Sequence, residues 1–453
     1  MTVGGAADGP RHRPAAAVPA RQRVTGASWH CPRGRAALRR RRYFGWNPRS
    51  EVAASRPAAT RAVGISRTRV NASLPIRGQC AEARTSLRLG PADHRCGHPC
   101  PAVVHNPRVL AELTAHVRAG QALADAQVAA VVIALIDDAV GAEPKADFLA
   151  ALATKGETHA EIAAFARELR DRATPVPFDA ATRGREILDV CGTGGDRLDT
   201  FNISTTVALV CAAAGVTVAK HGNRAITSRS GSADVLAALG IPVEQSPEQA
   251  AAAMRDHGFA FLLAPRYHPA FKAIAPARAL CAGRGQRTLF NFLGPLMNPA
   301  RPTAQLVGTS RPELVEPMAL TLRALGLRRA MVVSGEVPGP RFLDELSTLG
   351  PNTVAEFYHD RGHSCSVWSA SDLPLHPATL ADLAGGDAAE NAEIIRRLLR
   401  GEDRGPKLDA VLLNAGAALF VAGRARSIAE GWSLAEETVV SGSAARKVAE
   451  LAG

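Results

Sequence analysis

The sequence ILDVCGTGGDRLDTFNISTTVALVCAAAGVTVAKHGNRAITSRSGSADVLAALG, from Ile187 to Gly240, alternates apolar runs with glycine-rich and polar turns. Its first apolar run ends at Cys191 and predicts a buried strand, and the GTGGD segment that follows is typical of a tight loop. A helix is expected to begin at Asn202 or Ser204, because both residue types cap helix N-termini. This pattern favours strands that alternate with helices.

Two further polar turns follow in the same stretch. Val216–Ala219 predicts a second strand that leads into Lys220–Arg224, and the turn Ser228–Ser232 opens a helix that ends at Gly240. Glycine lets backbone N–H groups approach an anion closely, and helix N-termini favour phosphate. The three turns together therefore predict a site for a phosphate-rich sugar ligand. Their spacing matches neither the P-loop nor the dinucleotide-binding fingerprint.

The 453 residues suggest two or three structural units, and a hydrophobic content of 46% is ample for a core. The net charge of +12 is unevenly distributed. Residues 1–100 carry 19 arginines, no lysine and 4 acidic residues, so the other 353 residues have a net charge of −3. The longest apolar run, Ala129–Ile136, is too short to span a bilayer, and no membrane segment is expected.

Residues 1–105 are rich in Ala, Arg, Pro and Gly without sustained periodicity, which predicts a disordered basic extension. The simplest interpretation is an over-extended gene start or a tail without function. An organelle transit peptide and an arginine-rich segment that binds nucleic acid are the alternatives. Cys96-Gly-His-Pro-Cys100 is an isolated cluster, and its resemblance to a metal site is expected to be coincidental. No cysteine spacing predicts a disulfide framework, so reduced thiols in a cytosolic protein are expected.

The remaining chain predicts a small helical domain followed by a larger α/β domain. Apolar residues recur at helical spacing over 106–175, where Asn106-Pro107 is expected to open the first helix. Strands alternating with helices over 186–453 predict a mostly parallel central sheet. The expected elements beyond Gly240 are strands at Phe259–Ala264, Ala304–Gly308, Ala330–Ser334 and Thr353–Tyr358, and helices at His268–Leu280, Pro312–Leu325, Leu383–Leu399 and Ala410–Ala422.

Four motifs occur together and in order: GTGGD (Gly192–Asp196), NIST (Asn202–Thr205), KHGNR (Lys220–Arg224) and SGSADVLAALG (Ser230–Gly240). This combination resembles the anthranilate phosphoribosyltransferase family over roughly residues 106–450, and FNFLGPL from Phe290 resembles the family's second signature. The resemblance implies transfer of a phosphoribosyl group from phosphoribosyl pyrophosphate to the amine of anthranilate, in tryptophan biosynthesis. It also implies Mg²⁺, a cytoplasmic location and a homodimer formed through the helical domain, to which about 266–296 would contribute.

The resemblance assigns binding roles to individual residues. Phosphoribosyl pyrophosphate is expected to contact Gly192, Thr193, Gly194, Gly195, Asp196, Asn202, Ser204, Thr205, Lys220 and Ser232. Anthranilate is expected to contact Gly192, His221, Asn223, His268, Arg278 and Pro295. Mg²⁺ is expected at Ser204, Asp344 and Glu345, and the two acidic residues are expected to follow the strand that ends near Ser334. No residue is assigned as acid or base, because an oxocarbenium-like transition state calls for positioning and electrostatic stabilisation.

Two segments depart from the family pattern. The loop between Arg278 and Thr288 is longer by about three residues, which leaves Arg284 and Arg287 as alternatives to Arg278 for the anthranilate carboxylate. The segment Gly335–Arg341, before the acidic pair, is also longer and rich in proline. Neither change removes a motif residue.

Two other functions remain open on the same scaffold. A pyrimidine nucleoside phosphorylase would use inorganic phosphate and a nucleoside, and KHGNR together with Asp344-Glu345 argues against it. A nucleic-acid-binding relative would need a basic cleft, whereas the chain outside the N-terminal extension has a net charge of −3. The resemblance therefore ranks the phosphoribosyltransferase first.

Overall fold

A computed structural model describes residues 107–225, 229–359 and 362–453 of the chain. The predicted disordered extension 1–105 and the expected cap at Asn106 lie outside these residues. Within them, no helix has both the length and the apolar character needed to cross a membrane.

Four helices form the first part of the structure: α1 (Pro107–Arg118), α2 (Asp125–Ile136), α3 (Ala142–Lys155) and α4 (His159–Asp171). Helix α4 begins with a capping box, in which Thr158 Oγ1 accepts from the Glu161 N–H and Glu161 Oε2 accepts from the Thr158 N–H. The apolar faces of these helices share one core with a later helix, α10 (Phe271–Gly283), which contributes Ile274 and Cys281. The predicted helical domain is thus present.

The second part is an α/β structure built on eight strands. The strands are β1 (Ile187–Gly192), β2 (Thr217–Gly222), β3 (Phe259–Leu263), β4 (Ala304–Gly308), β5 (Arg329–Val337), β6 (Arg341–Leu343), β7 (Asn352–Tyr358) and β8 (His363–Trp368). Their order in the sheet is β3-β2-β1-β4-β5-β7-β8, with β6 paired to β5. Strands β1 to β5 are parallel, and β6, β7 and β8 join antiparallel. The prediction of a mostly parallel sheet is confirmed; the exact domain boundaries stay a prediction.

Both faces of the sheet are covered, which explains the continuous apolar strands. In β1, Leu188 and Val190 face a core shared with helix α6 (Ile203–Ala213), whereas Cys191 packs with the core of the helical part. Successive side chains of a strand point to opposite faces. Residues of one strand can therefore serve both sides of the sheet.

The remaining helices complete the layers on either side. They are α5 (Ala180–Arg183), α7 (Ser232–Ala238), α8 (Pro247–His257), α9 (Ala264–Tyr267), α11 (Val315–Ala324), α12 (Ala388–Leu399), α13 (Pro406–Val421), α14 (Ile428–Val440) and α15 (Ser443–Ala452).

Three sequence-based expectations for these elements are corrected. The helix expected from His268 begins only at Phe271, because the chain first closes the short helix α9. The helix expected from Leu383 begins at Ala388, since Gly385-Gly386 interrupts the chain and Asp387 caps α12. The acidic pair does not follow β5 directly, because the Pro-rich segment turns the chain into β6 first.

Candidate active site

The centre of the sheet is a point where the chain changes direction. The chain runs outward from β1 through β2 to β3, then returns to place β4 on the other side of β1. Ligands of open α/β sheets bind at the carboxyl ends of the strands beside such a switch point. Here those ends are Gly192 of β1 and Gly308 of β4, which are register partners. The glycine motif of the sequence therefore lies where this topology places a ligand.

The loop with Asp344 and Glu345 lies directly over these two glycines. A Cβ atom added at Gly192 would overlap the Asp344 carboxylate, and one added at Gly308 would overlap the Asp344 carbonyl group. Both positions are glycine because the acidic loop needs this close approach. Residues distant in sequence are thereby brought together at the end of the sheet.

The GTGGD loop is held against the same acidic pair. The Gly194 N–H donates a hydrogen bond of 2.7 Å to Asp344 Oδ2, and Gly194 and Gly195 have φ values of +75° and +81°. Arg197 and Asp199, with φ of 58° and 52°, also adopt the left-handed region, which is costly for residues with side chains. Backbone strain of this kind concentrates at functional sites.

Three carboxyl groups converge here with little cationic compensation. Burial and then the neighbouring Asp196 carboxylate raise the pKa of Asp344 to about 7. Burial and then Asp344 also raise the pKa of Glu345, and burial raises that of Asp196. Burial lowers the pKa of Lys220, whose charge in turn acts to lower the pKa of Glu345. A bound cation would offset the charge that these carboxylates carry when ionised.

Lys220 lies beneath the acidic pair instead of facing solvent. It is 1% exposed, and its Nζ donates to the Val190 carbonyl at 2.7 Å and to Ser204 Oγ at 3.3 Å. The Ser204 N–H in turn donates to Glu345 Oε1 at 3.1 Å. Ser204, Lys220 and Glu345 thus form one connected group. A direct contact between Lys220 and phosphate stays a prediction, since the amine is already engaged by protein oxygens.

The oxygen atoms of Ser204 and the acidic pair suit Mg²⁺ as ligands. Asp344, Glu345 and Ser204 offer carboxylate and hydroxyl oxygens only, and Mg²⁺ is a hard cation that binds oxygen. Thr205 Oγ1, one residue along α6, is buried without a hydrogen-bond partner in the described chain. The residues present therefore fit a magnesium–phosphate ligand.

The helix caps differ in part from the expectation. Asn202 occupies the N-cap position of α6, but its side chain makes no capping bond. Instead, Asn202 Nδ2 donates to the Ser230 carbonyl at 3.3 Å and Asn202 Oδ1 accepts from Asn391 Nδ2 at 2.9 Å. Ser232 Oγ donates to the Asn223 carbonyl at 3.3 Å. The NIST, KHGNR and SGSAD motifs are thereby connected through Asn202 and Asn223.

A row of rings begins at His221 of β2, on the face of the sheet opposite to the neighbouring Lys220. The His221 and His268 rings are 5.1 Å apart, His268 stacks on Phe271 at 5.3 Å, and Phe271 meets Phe290 edge-on at 5.7 Å. Arg278 lies over Phe290, with its Cζ 5.5 Å from the ring centroid. The expected acceptor residues His221, His268 and Arg278 are thus brought into one row. Phe271 was not singled out by the sequence, because an apolar residue after His-Pro-Ala has no distinctive signal.

Both histidines of this row are neutral at physiological pH. Burial, followed by the neighbouring His268, lowers the pKa of His221 to about 3, and burial lowers the pKa of His268 to about 4. The Nε2 atoms of both rings are buried without a hydrogen-bond partner in the described residues. Buried polar atoms are usually paired, so these two nitrogens indicate a place for a polar ligand.

Arg278 and Arg284 differ in their partners among the described residues. Arg284 is exposed and forms ion pairs with Glu143 and Asp147 of α3. No carboxylate pairs with Arg278 in the described part of the chain, and Arg278 is half-buried beside Phe290. The longer segment after Arg278 simply extends α10 to Gly283. A carboxylate partner from a ligand would suit Arg278 better than Arg284.

A buried polar network behind the rings was missed by sequence reasoning. Asp189 is fully buried and accepts from Asn298 Nδ2 at 2.8 Å, Gln305 Nε2 at 3.2 Å and the His221 N–H at 3.3 Å. Gln305 Nε2 also donates to the Pro295 carbonyl at 2.7 Å. Burial raises the pKa of Asp189 to about 6. The only signal in the sequence was the position of Asp189 within an apolar strand. Such a position indicates that the carboxylate has buried hydrogen-bond partners, but it does not show which residues they are.

Replacing Lys220 by methionine is expected to destabilise the fold by about 1–3 kcal/mol, because the buried Val190 carbonyl and Ser204 Oγ lose their hydrogen-bond donor. The Mg²⁺ concentration needed for half-maximal activity should rise as well, since Ser204 is released. Urea unfolding and a magnesium titration measure the two effects. Lys272→Met, at an exposed lysine, is the matched control. A Lys220 variant as stable as that control would contradict the buried role.

The fold and the matched residues define a two-domain glycosyl transferase. The family described as "Glycosyl transferase family, helical bundle domain" matches residues 111–173, and the one described as "Glycosyl transferase family, a/b domain" matches residues 184–445. An anthranilate phosphoribosyltransferase of Desulfatibacillum aliphaticivorans is 42% identical over 343 residues, which cover 76% of this chain and 98% of the relative. An anthranilate phosphoribosyltransferase of Moorella thermoacetica is 47% identical over 333 residues, which cover 73% of this chain and 94% of the relative.

Solved structures agree. Anthranilate phosphoribosyltransferase from Thermus thermophilus matches with a TM-score of 0.68 and 42% identity, over 75% of this chain and 98% of its own. The Saccharomyces cerevisiae enzyme in complex with phosphoribosyl pyrophosphate and Mg matches with a TM-score of 0.68 and 26% identity. The match covers 76% of this chain and 97% of the yeast chain. The chain belongs to the anthranilate phosphoribosyltransferase family.

Proposed function

We propose that this protein transfers the phosphoribosyl group of phosphoribosyl pyrophosphate to the amine of anthranilate. The bond from the ribose C1 to the pyrophosphate oxygen breaks, a C1–N bond forms, and the amine gives one proton to solvent. The products are N-(5′-phosphoribosyl)anthranilate and pyrophosphate. This reaction is an intermediate step of tryptophan biosynthesis. The observation that carries this proposal is the pairing of an acidic, glycine-lined end of the sheet with an aromatic row that ends in Arg278, which pairs with no carboxylate of the described residues.

The glycine-lined end is proposed to bind phosphoribosyl pyrophosphate. Gly192 to Asp196 would line the pyrophosphate, with backbone N–H groups as donors, and Ser204, Asp344 and Glu345 would hold Mg²⁺. When bound, Mg²⁺ stabilises charge on the leaving pyrophosphate. Without a cation, pyrophosphate and the buried carboxylates would repel each other. The Saccharomyces cerevisiae relative solved with phosphoribosyl pyrophosphate and Mg supports this assignment.

The aromatic row is proposed to bind anthranilate. A planar ring can pack against His221, His268 and Phe271, and a guanidinium binds a carboxylate through two parallel hydrogen bonds. Pro295 is buried at the same end and would form a wall for the ring. The Saccharomyces cerevisiae relative has also been solved with 4-fluoroanthranilate. The amine would then lie toward Gly192, between the two halves of the site.

Catalysis is proposed to come from positioning and electrostatics. With pKa values of about 3 and about 4, His221 and His268 are unprotonated at neutral pH and cannot act as general acids. The acceptor amine is nucleophilic without a base. Holding the amine in line with C1 and stabilising the departing pyrophosphate are the two demands that this site meets.

The two alternative functions are testable in the same preparation. A nucleoside phosphorylase would cleave thymidine or uridine with inorganic phosphate, and a nucleic-acid-binding relative would bind DNA without turnover. Pyrophosphate release is therefore measured with anthranilate, and with benzoate, which keeps the carboxylate but lacks the amine. We expect pyrophosphate release with anthranilate but not with benzoate. Benzoate should inhibit the reaction with anthranilate, and neither thymidine nor uridine should be cleaved by inorganic phosphate. Phosphorolysis without pyrophosphate release would replace the proposal.

Assembly and location follow the family resemblance. A homodimer formed through the helical part, α1 to α4 with α10, and a cytoplasmic location are proposed. Light scattering on the purified full chain measures the first, and fractionation of the source cells measures the second. A monomer at micromolar concentration would remove the dimer from the proposal without affecting the reaction.

Replacing Arg278 by glutamine is expected to raise the KM for anthranilate by roughly 10-fold to 100-fold, because charged hydrogen bonds to a carboxylate contribute about 1.5–3 kcal/mol. The KM for phosphoribosyl pyrophosphate should not change. Arg284→Gln is the matched control, because Arg284 lies on the same helix end and is paired with Glu143. An Arg284 variant with the larger effect would show that the longer segment supplies the carboxylate partner.

A further inference from the structure

A cluster of three potential metal ligands lies at the edge of the sheet farthest from β3. His363 and Cys365 are two residues apart in β8 and therefore point to the same face. Their register partners on β7 are Phe357 and Ala355, both buried in the core that includes α11. Glu316, in the first turn of α11, faces the same side.

The three side chains already meet. His363 Nε2 and Glu316 Oε1 are 2.9 Å apart, and the ligand atoms of Glu316, His363 and Cys365 all lie within 4.8 Å of one another. Ligands of a tetrahedral zinc ion are roughly 3.5 Å apart, given zinc–ligand distances of about 2.0–2.3 Å. Small side-chain rotations therefore suffice to close the cluster around one ion.

We propose that Glu316, His363 and Cys365 form a zinc site, with water as the fourth ligand. A thiolate and an imidazole favour Zn²⁺ over Mg²⁺, which prefers oxygen ligands alone. Binding releases the thiol proton to solvent, and the Glu316 carboxylate exchanges its hydrogen bond with His363 for a metal bond. The ion ties the edge strand β8 to α11 and thereby covers one end of the sheet.

This cluster is independent of the active site. Strands β5 and β7 lie between β4 and β8, so the cluster is roughly 14 Å from the carboxyl end of β4 at a strand spacing of about 4.8 Å. None of its residues has a role in substrate binding. The alternative is that Glu316 and His363 form a surface ion pair and that the Cys365 thiol binds no metal. That alternative predicts no metal–sulfur bond.

The test titrates Co²⁺, as a spectroscopic substitute for Zn²⁺, into the reduced, metal-free full chain with Mg²⁺ in excess. A Co²⁺–thiolate bond gives a charge-transfer absorption band that oxygen ligands cannot give. Because Cys96 and Cys100 could give the same band, the parent protein carries Cys96→Ser and Cys100→Ser. We expect one Co²⁺ per chain with this band, displaced by one equivalent of Zn²⁺, and a higher unfolding temperature with Zn²⁺.

Cys365→Ser in the same parent should abolish the band. Glu316→Gln removes a ligand and should weaken binding by roughly 10-fold or more, since even loss of a group that only supports a zinc ligand costs about 10-fold to 100-fold. Cys281→Ser is the matched control, because Cys281 is buried in α10 away from β8. Phosphoribosyl transfer should be unchanged in the Cys365 and Glu316 variants. Absence of the band in the parent, or a band that survives Cys365→Ser, would overturn the proposal.

Discussion

Gly308→Ala is expected to lower kcat/KM by at least about 100-fold, since a displacement of about 1 Å at a reacting site can cost that factor. The added methyl group would overlap the Asp344 carbonyl group, which is backbone and cannot rotate away. The loop that carries Asp344 and Glu345 must therefore shift relative to Gly192 and Gly194. Overpacking of this kind also destabilises the fold by about 1–3 kcal/mol.

The control for this prediction is Gly283→Ala. A Cβ at Gly283 meets nothing within 4 Å, and Gly283 lies at the end of α10, so both activity and stability should remain close to wild type. Steady-state kinetics at saturating Mg²⁺ and urea unfolding measure both variants. A Gly308→Ala protein with wild-type kinetics would mean that the acidic loop does not need its close approach to the sheet.

The combined change Asp344→Asn and Glu345→Gln is expected to reduce kcat/KM by about 10³-fold or more, because the two proposed Mg²⁺ ligands become neutral. The fold should be retained. Amide oxygens can still accept from the Gly194 and Ser204 N–H groups, and the repulsion between buried carboxyl groups is removed. Lys220 loses two neighbouring charges in this variant but keeps its hydrogen bonds to Val190 and Ser204, so activity should fall while the fold is retained.

Glu336→Gln provides the comparison, because Glu336 is an exposed carboxylate in β5, where it pairs with β6 of the same hairpin. Removing Mg²⁺ with a chelator should abolish wild-type and Glu336→Gln activity, and added Mg²⁺ should restore it. Excess Mg²⁺ should not restore the double variant. Full rescue of that variant by Mg²⁺ would move the metal site away from Asp344 and Glu345.

Much of the fold follows from local sequence patterns. The apolar runs beginning at Ile187, Phe259 and Ala304 gave parallel strands because both faces of the sheet are covered, so each strand is apolar throughout. Gly192 and Gly194 marked the end of β1 where the loop with Asp344 approaches the backbone closely. These features depend on neighbours in sequence, which a pattern can report.

Features that depend on distant neighbours were missed. The sequence cannot show that Lys220 turns inward, because its partners Val190 and Ser204 come from other elements. Three of the contacts of Asp189 likewise come from β2, β4 and the segment at Asn298. Helices α14 and α15 and strand β8 were not predicted: β8 is an exposed edge strand, and the two helices close the chain without a marked motif. The amphipathic period of α15 was the signal that could have identified it.

The most direct test of the proposed function follows the fluorescence of anthranilate with the purified full chain, phosphoribosyl pyrophosphate and Mg²⁺. We expect a fluorescence decay that requires all three additions, releases one pyrophosphate per anthranilate consumed, and is lost in the Asp344→Asn/Glu345→Gln protein but kept in Glu336→Gln. A folded wild-type protein that leaves anthranilate unchanged, or a double variant that consumes anthranilate as fast as the wild type, would contradict the proposed function.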